Sequence, residues 1–399
     1  MKILLFDGEK LTRHSSSGTY LRTLIKGLSE SSKGIDISIT VPNSTYKRII
    51  EQFIKCESLA LDVCTFSELR KCIKEADIIH IPSGFAGVIN YPLSLALLKP
   101  LVVTIHGISP LYAPSHGTYY EAIKWKIKFS FTKDRIRMLG SLLKDRLIIV
   151  TPSKRAKEQV SKFLINELML RVATIYHGVD TERFKSLSKI LEESSTFSEK
   201  ILNTLGIEPY TYFLHVGCHH PAKGASNVLL AFKKLCKHME GSKIKLIMIG
   251  YEKASYTKKV VKSVVSKLKL NDYVVFKGTI SNLVLMVLYK FSLGLLAPSY
   301  NESFGYPVVE ALITGAPVLT THYVASAEEV LKDCVVFVKN PSNIDEFAEK
   351  MLYLIEEQEN LRRLARKSIE VIERKLSSKS MGEQYIRCLL YTSPSPRDL

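Results

Sequence analysis

Apolar and polar positions along the chain fall into a repeating order: a short apolar run, then a longer segment carrying Lys and Glu. The runs are Lys2 to Phe6, Ile35 to Val41, Asp77 to Ile81, Leu101 to Ile105, Leu147 to Val150 and Val172 to Tyr176. A second series holds Tyr212 to Val216, Lys245 to Gly250, Tyr273 to Phe276, Leu293 to Ala297, Pro317 to Thr320 and Val335 to Val338. Runs this short suit buried strands, and helix-length spacers between them predict βαβ units on parallel sheets. Between the two series, Thr181 to Pro209 is polar, rich in Ser and Glu, and reads as a linker. The pattern predicts an α/β protein of two doubly wound domains facing one another across a cleft. The domains span 1–180 and 210–358, with 181–209 joining them. Residues 388–399 carry two Ser-Pro pairs and no helical period, resemble translated adaptor sequence, and are set aside as a non-native tail.

Length and composition agree with two cores, since 399 residues with 46% apolar content exceed what one core usually holds. Met1 to Asp7 breaks its apolar run at once with an acid, which reads as a first buried strand and argues against a signal peptide. Seven cysteines without a C-x-x-C pair predict reduced, mostly buried thiols and a cytoplasmic protein. The charge adds a new element: 56 Lys and Arg against 39 Asp and Glu leave +17 at neutral pH. An acidic partner is expected, either a phosphorylated small molecule or an anionic membrane face. Nucleic acid has no motif to support it.

The stretch from Pro298 to Ala311, P-S-Y-N-E-S-F-G-Y-P-V-V-E-A, reads as strand end, tight loop and short helix. Pro307 suits a first helical position, which would leave the N–H groups from about Phe304 to Val309 free to point at an anion. Glu302 precedes the helix and Glu310 lies about a turn inside it. Two carboxylates bracketing free N–H donors at the carboxyl end of a strand could hold a ligand with phosphate at one end and hydroxyls at both. The competing reading is that both merely complement the helix dipole.

Glu302-x7-Glu310 within this context closely resembles the signature of retaining glycosyltransferases of glycosyltransferase family 4, which have the GT-B fold of two Rossmann-like domains. The resemblance implies that Glu310 holds ribose hydroxyls while Glu302 and the Phe304-Gly305 backbone orient the donor sugar. Leu214 to Gly224 resembles the phosphate loop of that family, a strand ending in Gly217 with Lys223 at the mouth of a helix, and an ammonium there suits a diphosphate. Cys218 stands where the family has Arg, so one fixed charge is missing; His219 or His220 could substitute if protonated. A metal cluster of His215, Cys218, His219 and His220 is the competing reading, but four near-contiguous residues on a strand end do not surround an ion tetrahedrally. Gly250-Tyr251-Glu252 and Gly278-Thr279-Ile280 end the next two strands, where the family holds the nucleobase through backbone groups; Gly278 and Ile280 are the residues expected to do so, though turns closing βα units explain both loops equally well.

In the first domain the family places a His against the donor sugar, and His106 in Val103 to Gly107 matches it. Ser15 to Tyr20 matches a small-residue loop through which backbone approaches the phosphates or acceptor, with only Gly18 left of a frequent Gly pair. Ile175 to Phe184 resembles the N-G-V-D-x3-F segment of the domain junction, with His177 in place of Asn. The last helix of the family crosses back to the first domain, which implies the same for 359–387.

Tyr119 to Met138 alternates Ile123, Trp125, Ile127, Phe129 and Phe131 with Lys124, Lys126 and Lys128 before Lys133, Arg135 and Arg137. Alternation predicts a strand, whereas length and the architecture of the family predict a helix. As a helix it would expose Trp125, Lys126, Lys128 and Phe129 to an anionic membrane or a lipid-linked acceptor; the competing reading is a basic surface helix with one buried face. These features predict a cytoplasmic transferase, peripheral on the inner membrane face, that moves a sugar with retention from a nucleotide-diphosphate sugar to a glycan, lipid-linked or small-molecule acceptor. His106, Glu302 and Lys223 are the expected catalytic residues, and no metal or other cofactor is expected. A sugar-nucleotide isomerase of the same fold and a non-catalytic nucleotide-sugar binder stay open.

Overall fold

The computed structural model describes residues 1–13, 15–31, 34–57, 61–96, 98–108, 119–164, 171–217, 221–250 and 260–390. Their chain forms two compact units, one built from the described residues of 1–179 and 375–390, the other from those of 180–374.

In the first unit the strands are β1 (Lys2–Leu5), β2 (Asp36–Val41), β3 (Asp62–Thr65), β4 (Ile78–Ile81), β5 (Leu101–Thr104), β6 (Leu147–Thr151) and β7 (Arg171–Thr174). They form one parallel sheet in the order β3-β2-β1-β4-β5-β6-β7. Helices cover both faces of such a sheet, so its central strands are mostly apolar; every residue of β4, β5 and β6 is buried. The order reverses between β1 and β4, the switch point where α/β sheets open a crevice at their carboxyl edge. β3 escapes the sequence pattern because Asp-Val-Cys-Thr is short and half polar. Its Cys64 is joined in a disulfide to Cys72 of the following helix (Leu69–Glu75), which corrects the expectation that all thiols are reduced.

The second unit repeats the plan with β8 (Tyr212–Val216), β9 (Lys245–Ile249), β10 (Val274–Lys277), β11 (Gly294–Ala297), β12 (Val318–Thr321) and β13 (Val336–Val338), all parallel in the order β10-β9-β8-β11-β12-β13. The switch point lies between β8 and β11, which places the loops after Val216 and Ala297 side by side. Residues 181–209, expected as a linker, instead form two helices, Thr181–Glu193 and Ser195–Thr204. Asp180 caps the first by accepting from the Arg183 N–H at 3.0 Å, and Leu191 and Leu202 are buried, so amphipathic faces were hidden under a polar composition.

The return to the first unit begins later than 359. Gln358–Lys375 belongs almost wholly to the second unit, and Ser378–Leu390 packs along Ser16–Ser31 of the first. Those two helices touch backbone to backbone: a Cβ on Gly27 would lie 2.0 Å from the Ser378 carbonyl oxygen, and one on Gly382 would lie 2.1 Å from that of Gly27. Cys388 to Leu390, set aside with the tail, complete the last helix. The segment 391–399 lies outside the described residues.

Candidate active site

The second unit assembles its candidate residues where β8 and β11 end. Gly217 leaves β8 at φ 137, its N–H donating to Ile249 O at 2.9 Å, and among the described residues nothing stands within 4 Å of where a Cβ would be. Beyond the undescribed part of this loop, Pro221–Lys223 makes one 3-10 turn ahead of the helix Ala225–His238. Gly224 caps that helix at φ 70, and a Cβ there would lie 2.5 Å from the Pro298 carbonyl oxygen. The absent side chain lets the loop after β8 and the loop after β11 touch, a contact reinforced where Tyr300 N–H donates to Ala222 O at 2.8 Å. Lys223 and Glu302 meet there as an ion pair, with 28 and 22% of their side chains exposed. The expected cation is therefore not held apart for a diphosphate: it already has a carboxylate partner.

Glu302 is fixed by its backbone, which pairs with the loop after β12: its N–H donates to Tyr323 O at 2.9 Å and its carbonyl accepts from Ala325 N–H at 3.1 Å. Phe304 is buried and its carbonyl accepts from Ser326 N–H at 2.9 Å. Gly305 turns the chain into the helix Tyr306–Ile313 at φ 99, where a Cβ would meet Val324 Cγ1 at 2.5 Å. Because Gly305 is the cap, Pro307 occupies the second helical position and not the first. The N–H groups of Val308 and Val309 turn back to Gly305 O at 3.1 and 3.5 Å, which corrects the expected run of free donors at those two positions.

Glu310 faces a different group. Tyr289, from the apolar helix Asn282–Lys290, donates its hydroxyl to Glu310 Oε2 at 3.3 Å. Burial pushes the Glu310 carboxyl up to about 7, against the opposite pull of that hydrogen bond. Sequence reasoning missed Tyr289, because nothing in an apolar helix marks the one residue that turns toward a carboxyl. Gly278 also has an open side among the described residues, and Ile280 beside it is half-buried. Cys218, His219, His220, Tyr251 and Glu252 lie outside the described residues.

In the first unit His106 follows β5 and is held at both ring nitrogens. Its Nε2 lies 2.6 Å from Pro82 O and its Nδ1 3.2 Å from His177 Nε2. Burial holds His106 down to about 4 and His177 well below the ordinary imidazole range. Tyr20 packs its ring 4.6 Å from both imidazoles, while its hydroxyl reaches Tyr385 at 2.7 Å and Thr104 at 3.1 Å. Thr104 also meets His80 Nε2 at 2.8 Å. Gly18 does not line an open loop. It lies in the first turn of Ser16–Ser31, where a Cβ would meet Arg13 O at 2.1 Å, so the space it leaves is filled by its own chain.

Tyr119–Leu143 is a helix. Phe129, Thr132, Ile136, Leu139 and Leu143 are buried at helical spacing, which overrides the local alternation. Phe129, expected to face a membrane, is 3% exposed and packs on Phe163, ring centroids 5.9 Å apart. The exposed stripe is instead Ile127 (65%), Phe131 (54%), Met138 (42%) and Leu142 (43%), which recur on one side of the helix with Lys126 exposed and Lys128 partly so. The Trp125 side chain lies outside the described residues. Among the described residues no helix is long and apolar enough to cross a membrane.

The family model described as Glycosyltransferase Family 4 matches residues 17–183, and that described as Glycosyl transferases group 1 matches residues 197–371. O-antigen chain mannosyltransferase RfbU of Salmonella typhimurium is 26% identical over 250 residues, 63% of this chain; the chain spans 59% of that relative's length, less than two thirds. Alpha-monoglucosyldiacylglycerol synthase of Streptococcus pneumoniae is 24% identical over 331 residues, covering 80% of this chain and 70% of the relative. The crystal structure of Anabaena HepE in complex with UDP and glucose superposes with a TM-score of 0.67 at 16% identity, covering 98% of this chain and 99% of the other. At that identity the likeness shows the fold, two Rossmann-like domains of GT-B type.

Proposed function

Because the chain belongs to the group 1 glycosyltransferases of family 4, we propose that it moves a sugar from a nucleotide-diphosphate donor to a hydroxyl acceptor with retention at the anomeric carbon. The observation that carries this reading is the meeting of Lys223 and Glu302 at the switch point of the second sheet, between the open Gly217 turn and the helix that bears Glu310. Lys223 would pass from Glu302 to the departing diphosphate, aided by the amides before Pro307. Glu302 would then be released toward the sugar, and Glu310 would accept from ribose hydroxyls. In the transfer the bond from the anomeric carbon to the diphosphate oxygen breaks and that to the acceptor oxygen forms on the same face, the acceptor proton leaving with the diphosphate. Among the described residues of the site none stands out as a separate nucleophile, which favours this course over a covalent intermediate.

The reading needs no metal. Undiminished turnover in a chelator would support that part, and loss restored by a divalent ion would reject it. A panel of UDP-, GDP- and ADP-sugars read by thermal shift identifies the donor, since a bound ligand raises apparent stability. NMR of the product then separates the readings: a retained glycoside supports transfer, a free epimer an isomerase, and binding without turnover a non-catalytic binder.

The acceptor reading is a glycan or lipid-linked substrate met at the cytoplasmic face of a membrane. The relatives named for O-antigen chain and diacylglycerol products support it, as does the exposed stripe of Ile127, Phe131, Met138 and Leu142 on a helix rich in Lys and Arg. Anionic vesicles should sediment the protein at low salt and release it at high salt, and Ile127→Glu with Phe131→Glu should abolish retention while donor binding survives. A parent protein that ignores such vesicles would point to a soluble acceptor.

A further inference from the structure

We infer that His177 is a positioning residue that, together with the Pro82 carbonyl, holds His106 as the neutral, Nε2-protonated tautomer, so that His106 meets a ligand with its carbon edge and carries no proton in the reaction. The geometry decides the tautomer. Pro82 O can only accept, so the His106 nitrogen 2.6 Å from it bears the hydrogen. Nδ1 is then the acceptor, and His177 Nε2 at 3.2 Å must donate to it. Protonating His106 at Nδ1 would set two N–H donors against each other unless His177 moved its own hydrogen to Nδ1. Among the described residues, the titratable groups shown to act on His106 are Lys10, His177, His80 and Tyr20, and none of these is a carboxylate able to balance an imidazolium. The Asp7 carboxylate is turned to Lys10 at 2.8 Å.

The ring cannot easily turn away from this arrangement. Tyr20 stands edge-on to His106 and tilted against His177, and its own hydroxyl is tied to Thr104 and, through the last helix, to Tyr385. His177 does here, from a residue that resembles a motif position held by Asn, what an amide N–H could also do: donate to His106 Nδ1. The role in turnover rests on the transfer proposed above; the tautomer does not.

The test reads the imidazole nitrogens of 15N-histidine protein by long-range proton–nitrogen correlation, with His106 assigned by its loss in His106→Asn. In the parent, His106 should keep the Nε2–H pattern unchanged from pH 5.5 to 8. Burial, which holds the His106 pKa down, persists in His177→Leu, so Nδ1 should stay unprotonated there while its nitrogen resonance moves downfield on losing its donor, and His177→Asn should move it back. His106 titrating between pH 5.5 and 8 in the parent, or an unchanged His106 spectrum in His177→Leu, overturns the inference. The parent titration decides even if His177→Leu fails to fold, and both spectra decide even if no donor supports transfer.

Discussion

Replacing Glu310 by glutamine should remove a pH dependence of stability that the parent carries. The Glu310 carboxyl is raised from 4.5 to about 7 by burial, so the folded protein holds that proton over a range where the unfolded chain has lost it. Stability is then fully present below the unfolded value and is lost as pH rises through the folded one. A displacement of that size corresponds to about 3 kcal/mol, and partial access of Glu310 to solvent reduces the expected loss to about 2–3 kcal/mol. The glutamine amide would keep an acceptor for the Tyr289 hydroxyl and would not titrate. Glu310→Gln should therefore melt close to the parent at pH 5 and above it at pH 8, by several degrees at about 2–4 °C per kcal/mol for a unit of this size. Thermal unfolding of both proteins in buffers across that range gives the answer. An equal difference between mutant and parent at pH 5 and pH 8 would show that Glu310 is ionised throughout and refute the reasoning. Ligand hydroxyls donating to the carboxylate would favour its charged form, so nucleoside diphosphate binding should release protons and tighten as pH rises from 5 to 7, which calorimetry in two buffers measures.

At the loops of the second sheet, Lys223→Ala should cost about 2–4 kcal/mol of transition-state stabilisation, as loss of one preorganised donor does; turnover equal to the parent would reject the assignment. Glu302→Gln should release the Lys223 ammonium and tighten nucleoside diphosphate binding while lowering turnover with the full sugar nucleotide, and weaker binding measured by calorimetry would mean that the ion pair is itself part of the diphosphate site. Gly224→Ala should destabilise the second unit by about 1–3 kcal/mol, because a side chain at φ 70 is strained and its Cβ would press on a backbone oxygen; denaturant midpoints matching those of the parent would contradict it.

Much of the fold was legible because parallel strands buried on both faces are short, mostly apolar runs, and β4, β5 and β6, buried in every residue, depart from that only at His80, Thr104 and Thr151. β3 was not legible, since an edge strand needs less apolar character and Asp62 to Thr65 shows little. Thr181 to Pro209 misled for the opposite reason: a helix needs only one apolar stripe, and Leu191 and Leu202 supply it within Ser- and Glu-rich sequence. At the site, residue types and loops were readable but partners were not. Lys223 with Glu302, Tyr289 with Glu310 and His177 with His106 are pairs from separate βα units, and sequence spacing says nothing of which side chains meet across them. Phe129 and Phe131 show the same limit within one helix, where two positions apart is the difference between core and surface.

The glycine contact between Ser16–Ser31 and Ser378–Leu390 ties the folding of the chain to the order of its synthesis. The first unit borrows its last helix from beyond the second, so a ribosome must make all of 180–374 before the first unit can close. Until then Gly27 lacks the backbone that sits against it, and Tyr20 and Thr104 lack the Tyr385 hydroxyl. The second unit, contiguous in the described chain, can fold while the first still waits, so a chain stopped before Ser378 should retain a folded second unit beside a first one that remains sensitive to proteases.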